Sequence, residues 1–269
     1  MSFVDNNPVN FVDPTGHIKE GPQAEKADLI VAKLHNIYNV RIRKDWGYRL
    51  VSVPVADLPP GLFTGILYYG CEWEEGNWRN AKELELTLEA VKNMSNKLGG
   101  SDRLKAAMKY RPIEVVRHKE SKNAGLSYAP PINYVLGDVE LYDNTFNLHA
   151  GNPNVTDSQR DIFAKYVVVH EMAHVWDFRN NYQLGVGLAN HVNAYRLECP
   201  SIYCTFVWDP NQSLDVAKHF VTTYAKTNEM EFWADSFAAS VYPNLWWYIS
   251  ADLTTEVKTY INTKINKIR

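Results

Sequence analysis

The stretch from Thr156 to Asn181, TDSQRDIFAKYVVVHEMAHVWDFRNN, constrains this chain more than any other feature. Thr156 followed by Gln159 is a capping-box pair, and Ile162, Phe163, Tyr166, Val167, Val169, Ala173 and Trp176 then recur at three- and four-residue spacing. The pattern predicts a helix from about Asp157 to Phe178. Residues i and i+4 share a helix face, so His170 and His174 can aim both imidazoles at one ion. Glu171 lies about 100° round the helix, able to reach a water beside that ion and poorly aimed to bind the ion itself. That is the geometry of a general base. Two neutral imidazoles plus a carboxylate suit zinc, and a three-ligand site leaves the fourth tetrahedral position for water. A chance match on a core helix would have no third ligand, so the rest of the chain must supply one.

The remaining sequence can build a scaffold of that size. With 45% hydrophobic residues in 269, it can bury one large core or two adjacent lobes. A formal charge of −3 and a pI near 6.2 give no basic field, which argues against nucleic acid as a partner. No apolar run reaches the roughly 18 residues that span a bilayer. The N-terminal MSFVDNNPVNFVDPTGH has neither a basic nor an apolar signal-peptide region, so no secretory signal is expected. Cys71, Cys199 and Cys204 are too few and too irregular for a disulfide framework or a cysteine zinc site. Cys199 and Cys204 could pair after export, with ordinary reduced thiols as the plainer reading.

Taken in order, residues 5–16 (DNNPVNFVDPTG) carry turn chemistry. Apolar spacing predicts an amphipathic helix over Gln23–Tyr38 and a stronger one over Asn80–Leu98, stopped by Gly99-Gly100. Between them, residues 40–80 read as loops with at most a short strand. β-branched and alternating patterns predict strands over Ile113–His118 and Tyr134–Leu141. The second is the candidate edge strand for pairing with an extended peptide. After the metal helix, Gly185 and Gly187 suggest a loop, and Asn190–Gln212 has no clear period. Helices are expected over Leu214–Ala225, Asn228–Val241 and Asp252–Ile268.

The third ligand is sought in TTYAKTNEMEFWADSFAAS, Thr222 to Ser240, where Glu231 and Asp235 are four apart on one predicted helix face. One can bind the ion while the other orients a ligand histidine through its free ring N–H. Glu229 is the alternative ligand, and all three could instead form a solvated acidic face. Tyr224 could be a half-buried core tyrosine, His149 and His191 surface or core histidines, and Trp246, Trp247 and Tyr248 core aromatics.

Two resemblances add to this reading. NNPVNFVDPTG resembles the closing motif of the Rhs/YD-repeat core, with Pro8, Asp13, Pro14 and Gly16 at the motif positions and His17 where leucine is usual. It implies a shell that encloses and delivers the domain following it, so residues 1–17 would close the shell and 18–269 would be a toxin domain, with two lobes meeting near 178. HExxH followed by a helical ExxxD, here with Tyr224 seven residues before Glu231, resembles the gluzincins, most of all the anthrax-lethal-factor-like zincins. This second resemblance implies an α+β zincin-like metallopeptidase fold, the active-site helix beside a small mixed sheet and a mainly helical C-terminal lobe after it. It implies His170, His174 and Glu231 as Zn2+ ligands, Glu171 as base, Asp235 supporting a ligand histidine, and Tyr224 stabilising the transition state. His219 competes with Tyr224 for that last role, as in gluzincins that use histidine. The expected function is a zinc endopeptidase delivered into a target cell, cleaving a target-cell protein, with a cognate immunity protein as a possible partner. The alternatives are a peptidoglycan cross-link hydrolase and a zincin scaffold that binds a target without turnover.

Overall fold

The computed structural model describes residues 22–43, 47–52, 69–74, 78, 81–118, 124–127, 138–147, 154–194, 214–245, 248–249 and 251–269. Helix α1 (Pro22–Tyr38) leads into strand β1 (Val40–Ile42), and β2 (Gly47–Ser52) pairs antiparallel with β3 (Tyr69–Glu74) as a separate ribbon. Three strands thus occupy a region whose irregular composition suggested loops. The next helices are α2 (Ala81–Leu98) and α3 (Ser101–Ala107), divided by Gly99 and Gly100 at φ 96° and 123°. The predicted stop is real, and the chain re-enters a helix at once. Strands β4 (Ile113–Arg117), β5 (Gly125–Ser127) and β6 (Val139–Leu141) follow, then the short α4 (Asp143–Asn147).

The main sheet has the order β1-β4-β6-β5, parallel except for β5, which runs antiparallel to β6 with Gly125 opposite Leu141 and Ser127 opposite Val139. This corrects the expected edge. The strand predicted over Tyr134–Leu141 forms over Val139–Leu141 among the described residues and lies inside the sheet, whose edges are β1 and β5.

Helix α5 (Asp157–Arg179) carries HEMAH. Its capping box forms as expected: the Gln159 N–H donates to Thr156 Oγ1 at 3.2 Å and the Thr156 N–H donates to Gln159 Oε1 at 2.7 Å. From Tyr166 to Asp177 every residue of the helix is buried, so it runs through the core with neighbours on all sides. Its C-terminal end is pinned by Arg179, whose guanidinium donates to the carbonyls of Met108, Arg111 and Pro112 and to Asp138.

Helix α6 (Gln183–His191) stands where Gly185 and Gly187 suggested a loop. The Asp177 carboxylate accepts from the Leu184 and Gly185 N–H groups at 2.8 and 3.2 Å and so starts the helix. Gly185 serves close packing, since a Cβ there would lie 2.7 Å from the Glu229 carbonyl oxygen.

The helix predicted over Leu214–Ala225 is likewise shorter: α7 (Leu214–Ala217) ends early, and a 3-10 turn covers Tyr224–Lys226. Before the 3-10 turn the Thr222 hydroxyl accepts the Ala225 N–H at 2.9 Å while donating to Asp235. Helix α8 (Glu229–Val241) is capped by Asn228, whose Oδ1 accepts the Glu231 N–H, and α9 (Thr255–Asn266) is capped by Thr254.

The architecture is α+β, mostly helical, with a small mixed sheet beside α5 and only helices after it among the described residues. α5 packs on α2, α8, β5 and β6, in one core that includes Met94, Val115, Val139, Met172, Trp176, Trp233 and Phe237. Trp176, Trp233 and Phe237 stack with ring centroids 5.2 to 5.7 Å apart, and the Trp233 indole N–H donates to the Ala173 carbonyl. Truncating such an aromatic typically costs about 3–5 kcal/mol, so the α5–α8 seam that aligns the site is firmly built. No helix of the described residues is long and apolar enough to cross a membrane. The 1–17 motif, His149, Cys199, Cys204, Trp246 and Trp247 lie outside the described residues.

Candidate metal centre

His170 and His174 project from α5 and Glu231 from the first turn of α8, and their ligand atoms converge. His170 Nε2 and His174 Nε2 are 3.1 Å apart, and Glu231 Oε2 is 3.0 Å from each. The Asn228 cap fixes where α8 begins and therefore where Glu231 points.

Asp235, one turn further along α8, lies 2.9 Å from His170 Nδ1 through its Oδ1. The Tyr166 hydroxyl donates to the same oxygen at 2.8 Å, and the Thr222 hydroxyl donates to Oδ2. An ionised carboxylate only accepts, so the network assigns a proton to His170 Nδ1, while Nε2 points at the cluster. Tyr224 stands on the solvent side, 49% exposed, with its hydroxyl 3.3 Å from Glu231 Oε1. Beyond His174 the Phe178 ring stacks at 5.8 Å and Tyr182 follows it.

Burial opposes charge on His170, Glu231, Glu171 and Tyr224, and neighbours overcome it at the first two. For His170, the hydrogen bond and charge of Asp235, joined by Glu231, outweigh burial and raise its affinity well above that of a free imidazole. For Glu231, burial is outweighed by His174 and His170, which hold the carboxyl far below its usual range. Glu171 differs: burial dominates and makes it more basic than an ordinary carboxylate, against the opposing pull of both histidines and a hydrogen bond from Ser127. Tyr224 is pushed up by burial and by the Glu231 charge, so it keeps its proton.

The donor set fits a metal ion. Two imidazole nitrogens and a carboxylate oxygen face one another in a largely buried space, a donor set suited to a cation once the histidines are neutral. The structure therefore brings His170, His174, Glu231, Asp235 and Tyr224 together. Glu229 is buried on α8 and outside the ligand group, and His219 is bonded through Nδ1 to Thr254 at the α9 cap, 2.7 Å away. His191 is exposed against Tyr260, while Tyr248 packs on Phe163 and Tyr166 as a core aromatic should.

Sequence reasoning missed Tyr166, Thr222, Gly125 and Ser127. Tyr166 had a signal, standing four residues before His170 on the same face. Thr222 and the β5 residues had none, because only the tertiary fold brings them to the site. Comparison with family models, with curated proteins and with solved structures gave no match to this chain.

Proposed function

We propose that this chain is a zincin-like zinc endopeptidase, the toxin domain of a delivered effector, hydrolysing a peptide bond in a target-cell protein. The observation that carries the reading is the convergence of His170 Nε2, His174 Nε2 and Glu231 Oε2 on one point, with the Glu171 carboxylate buried beside them and outside the ligand set. Those three residues would hold the zinc, and Asp235 would keep His170 in the ligating tautomer. When bound, zinc would supply Lewis acidity to the attacking water and the scissile carbonyl.

The chain's own residues do the rest. Glu171 takes the proton of the water as its oxygen attacks the carbonyl carbon, then passes that proton to the leaving amine nitrogen as the C–N bond breaks. Tyr224 donates its hydroxyl hydrogen bond to the developing oxyanion, a contact stronger in the transition state than in the ground state. Delivery is supported by the Rhs-like residues Pro8, Asp13, Pro14 and Gly16. A domain that only binds its target would have no need of a base held apart from the ligands, so the buried Glu171 favours turnover.

The test is to incubate purified protein with casein and with cell-wall sacculi, each with and without chelator. Wild type is expected to carry one zinc per chain and to cleave casein in a chelator-sensitive way. Glu171→Gln should keep the zinc and lose about 10²- to 10⁴-fold in kcat. Release of sacculus fragments alone would move the substrate to peptidoglycan; full activity in Glu171→Gln would end the hydrolase reading.

A further inference from the structure

Strand β5 meets α5 at one residue, Glu171, and from two sides. The Ser127 hydroxyl reaches the Glu171 carboxylate at Oε2 and lies 3.0 Å from the Glu171 main-chain oxygen. At Gly125 an added Cβ would stand 2.6 Å from Oε1, 2.7 Å from Cγ and 2.9 Å from the carboxyl carbon of Glu171. Residues 125 and 127 share one face of the strand, and pairing to β6 fixes which way that face points. The glutamate is thus packed against a backbone stripped of its side chain and engaged by a hydroxyl two residues on.

We propose that β5 positions the general base: Ser127 holds one oxygen of Glu171, and Gly125 leaves open the space the carboxylate fills. The proposal rests on reading Glu171 as the base. A glutamate side chain has three rotatable bonds and loses up to about 2 kcal/mol of rotamer freedom when fixed. Holding Oε2 from the sheet fixes the carboxylate before substrate arrives and supplies the hydrogen-bond donor that a buried carboxylate requires. Ser127 is then a positioning residue that acts through Glu171. Its second contact, to the main-chain oxygen, could by itself tack the edge strand onto α5, and the experiment must separate the two roles.

Ser127→Ala, Ser127→Thr and Gly125→Ala are compared with wild type in the zinc-loaded full chain on casein. Melting of the zinc-free protein is compared for Ser127→Ala, Glu171→Gln and the double variant. Ser127→Ala should lower kcat about tenfold, the rate equivalent of one ordinary hydrogen bond, with KM and zinc content unchanged. Ser127→Thr keeps the hydroxyl on a residue suited to a strand and should recover most of the rate. Gly125→Ala should lower kcat at least as far, because its methyl displaces the end of Glu171. In the zinc-free protein the two melting shifts should not add, since Ser127→Ala removes the contact that Glu171→Gln weakens by exchanging a charged acceptor for an amide oxygen. Wild-type kcat in Ser127→Ala, or additive melting shifts, would overturn the proposal. If wild type itself cleaves nothing, the general-base reading falls, and the melting cycle still decides whether Ser127 clamps Glu171.

Discussion

The molecule holds two buried polar clusters built on opposite principles. Around Arg117, which is fully buried, every guanidinium nitrogen meets an acceptor: it pairs with Glu83 at 3.1 and 3.2 Å and with Asp143 at 2.7 Å, donates to the His118 carbonyl, and lies 5.1 Å over the Phe146 ring. Next in sequence, His118 pairs with Glu140, which also accepts from Tyr142. At the HEMAH site, two imidazole nitrogens and one carboxylate oxygen stand about one point, His170 Nε2 and His174 Nε2 each 3.0 Å from Glu231 Oε2. The closed cluster ties α2, β4 and α4 into one frame. The open one gathers three ligand atoms that offer a place for a cation, and that difference separates a structural polar cluster from a candidate site.

The comparison breaks most directly by deleting one member from each. Arg117→Ala strands Glu83 and Asp143 beside a cavity and should cost about 3–5 kcal/mol in chemical denaturation, while the fraction still folded binds zinc at wild-type stoichiometry. His174→Ala leaves Glu231 its other partner, His170, so the zinc-free protein should lose less stability than Arg117→Ala does, while metal binding is abolished. The reverse pattern, a stable Arg117→Ala and a collapsed His174→Ala, would show that the open cluster is the one holding the fold.

The two clusters also differ in how far the sequence disclosed them. The HEMAH half was legible because its geometry is local: a capping box, an apolar period and two histidines one turn apart place two ligands without tertiary information. Glu231 and Asp235 followed by the same rule on α8. Nothing local marks Arg117 for burial, since its charge is answered by Glu83 and Asp143, 34 and 26 residues away. Strand β5 was invisible for a related reason: Gly-Leu-Ser has no alternation to read, and the strand exists only as the partner of β6. The glycines of α6 misled because glycine marks close approach as often as it marks a turn. The Leu214–Ala225 pattern failed after Ala217, and Thr222 further on gives its hydroxyl to Asp235 at the site and to the Ala225 N–H rather than to a helix.

Tyr224 sharpens the contrast at the rim of the open cluster, where the ring is half exposed and its packing contributes little. With the proposed oxyanion contact as the main task of its hydroxyl, Tyr224→Phe should lower kcat roughly a hundredfold while KM and zinc content stay near wild type. A tyrosine present only for packing would show no change in kcat, because phenylalanine keeps the ring. Loss of zinc in this variant would instead place the 3.3 Å contact with Glu231 among the forces that hold the ligand in line.

The smallest effect concerns a third kind of polar burial, in which the group stays neutral and needs neither a counter-charge nor a cation. Tyr166, Tyr224, Tyr242, Tyr248 and Tyr260 all have proton affinities raised first of all by burial, and Tyr242 is pushed up to about 12. For Tyr242 the Glu89 charge adds to that effect, while the hydrogen bond from Asn93 at 3.0 Å works against it. The folded state therefore keeps the Tyr242 proton in a range, from about pH 10 upward, where the unfolded chain has already released its own. More protons bound to the native state means stability falls as pH rises: this contribution is complete below pH 10 and is lost through about pH 12. Within that window Tyr242 adds a slope of at most about 1.4 kcal/mol per pH unit, the rate at which one proton's worth of linkage accumulates. Urea unfolding of the zinc-free protein should give a flat stability from pH 8 to about 10 and a decline beyond it. Tyr242→Phe removes one titrating group and should make that decline shallower by one proton, while Asn93→Ala, which leaves the phenol in place, should not. A slope unchanged in Tyr242→Phe would mean that its hydroxyl ionises as readily in the folded protein as in water.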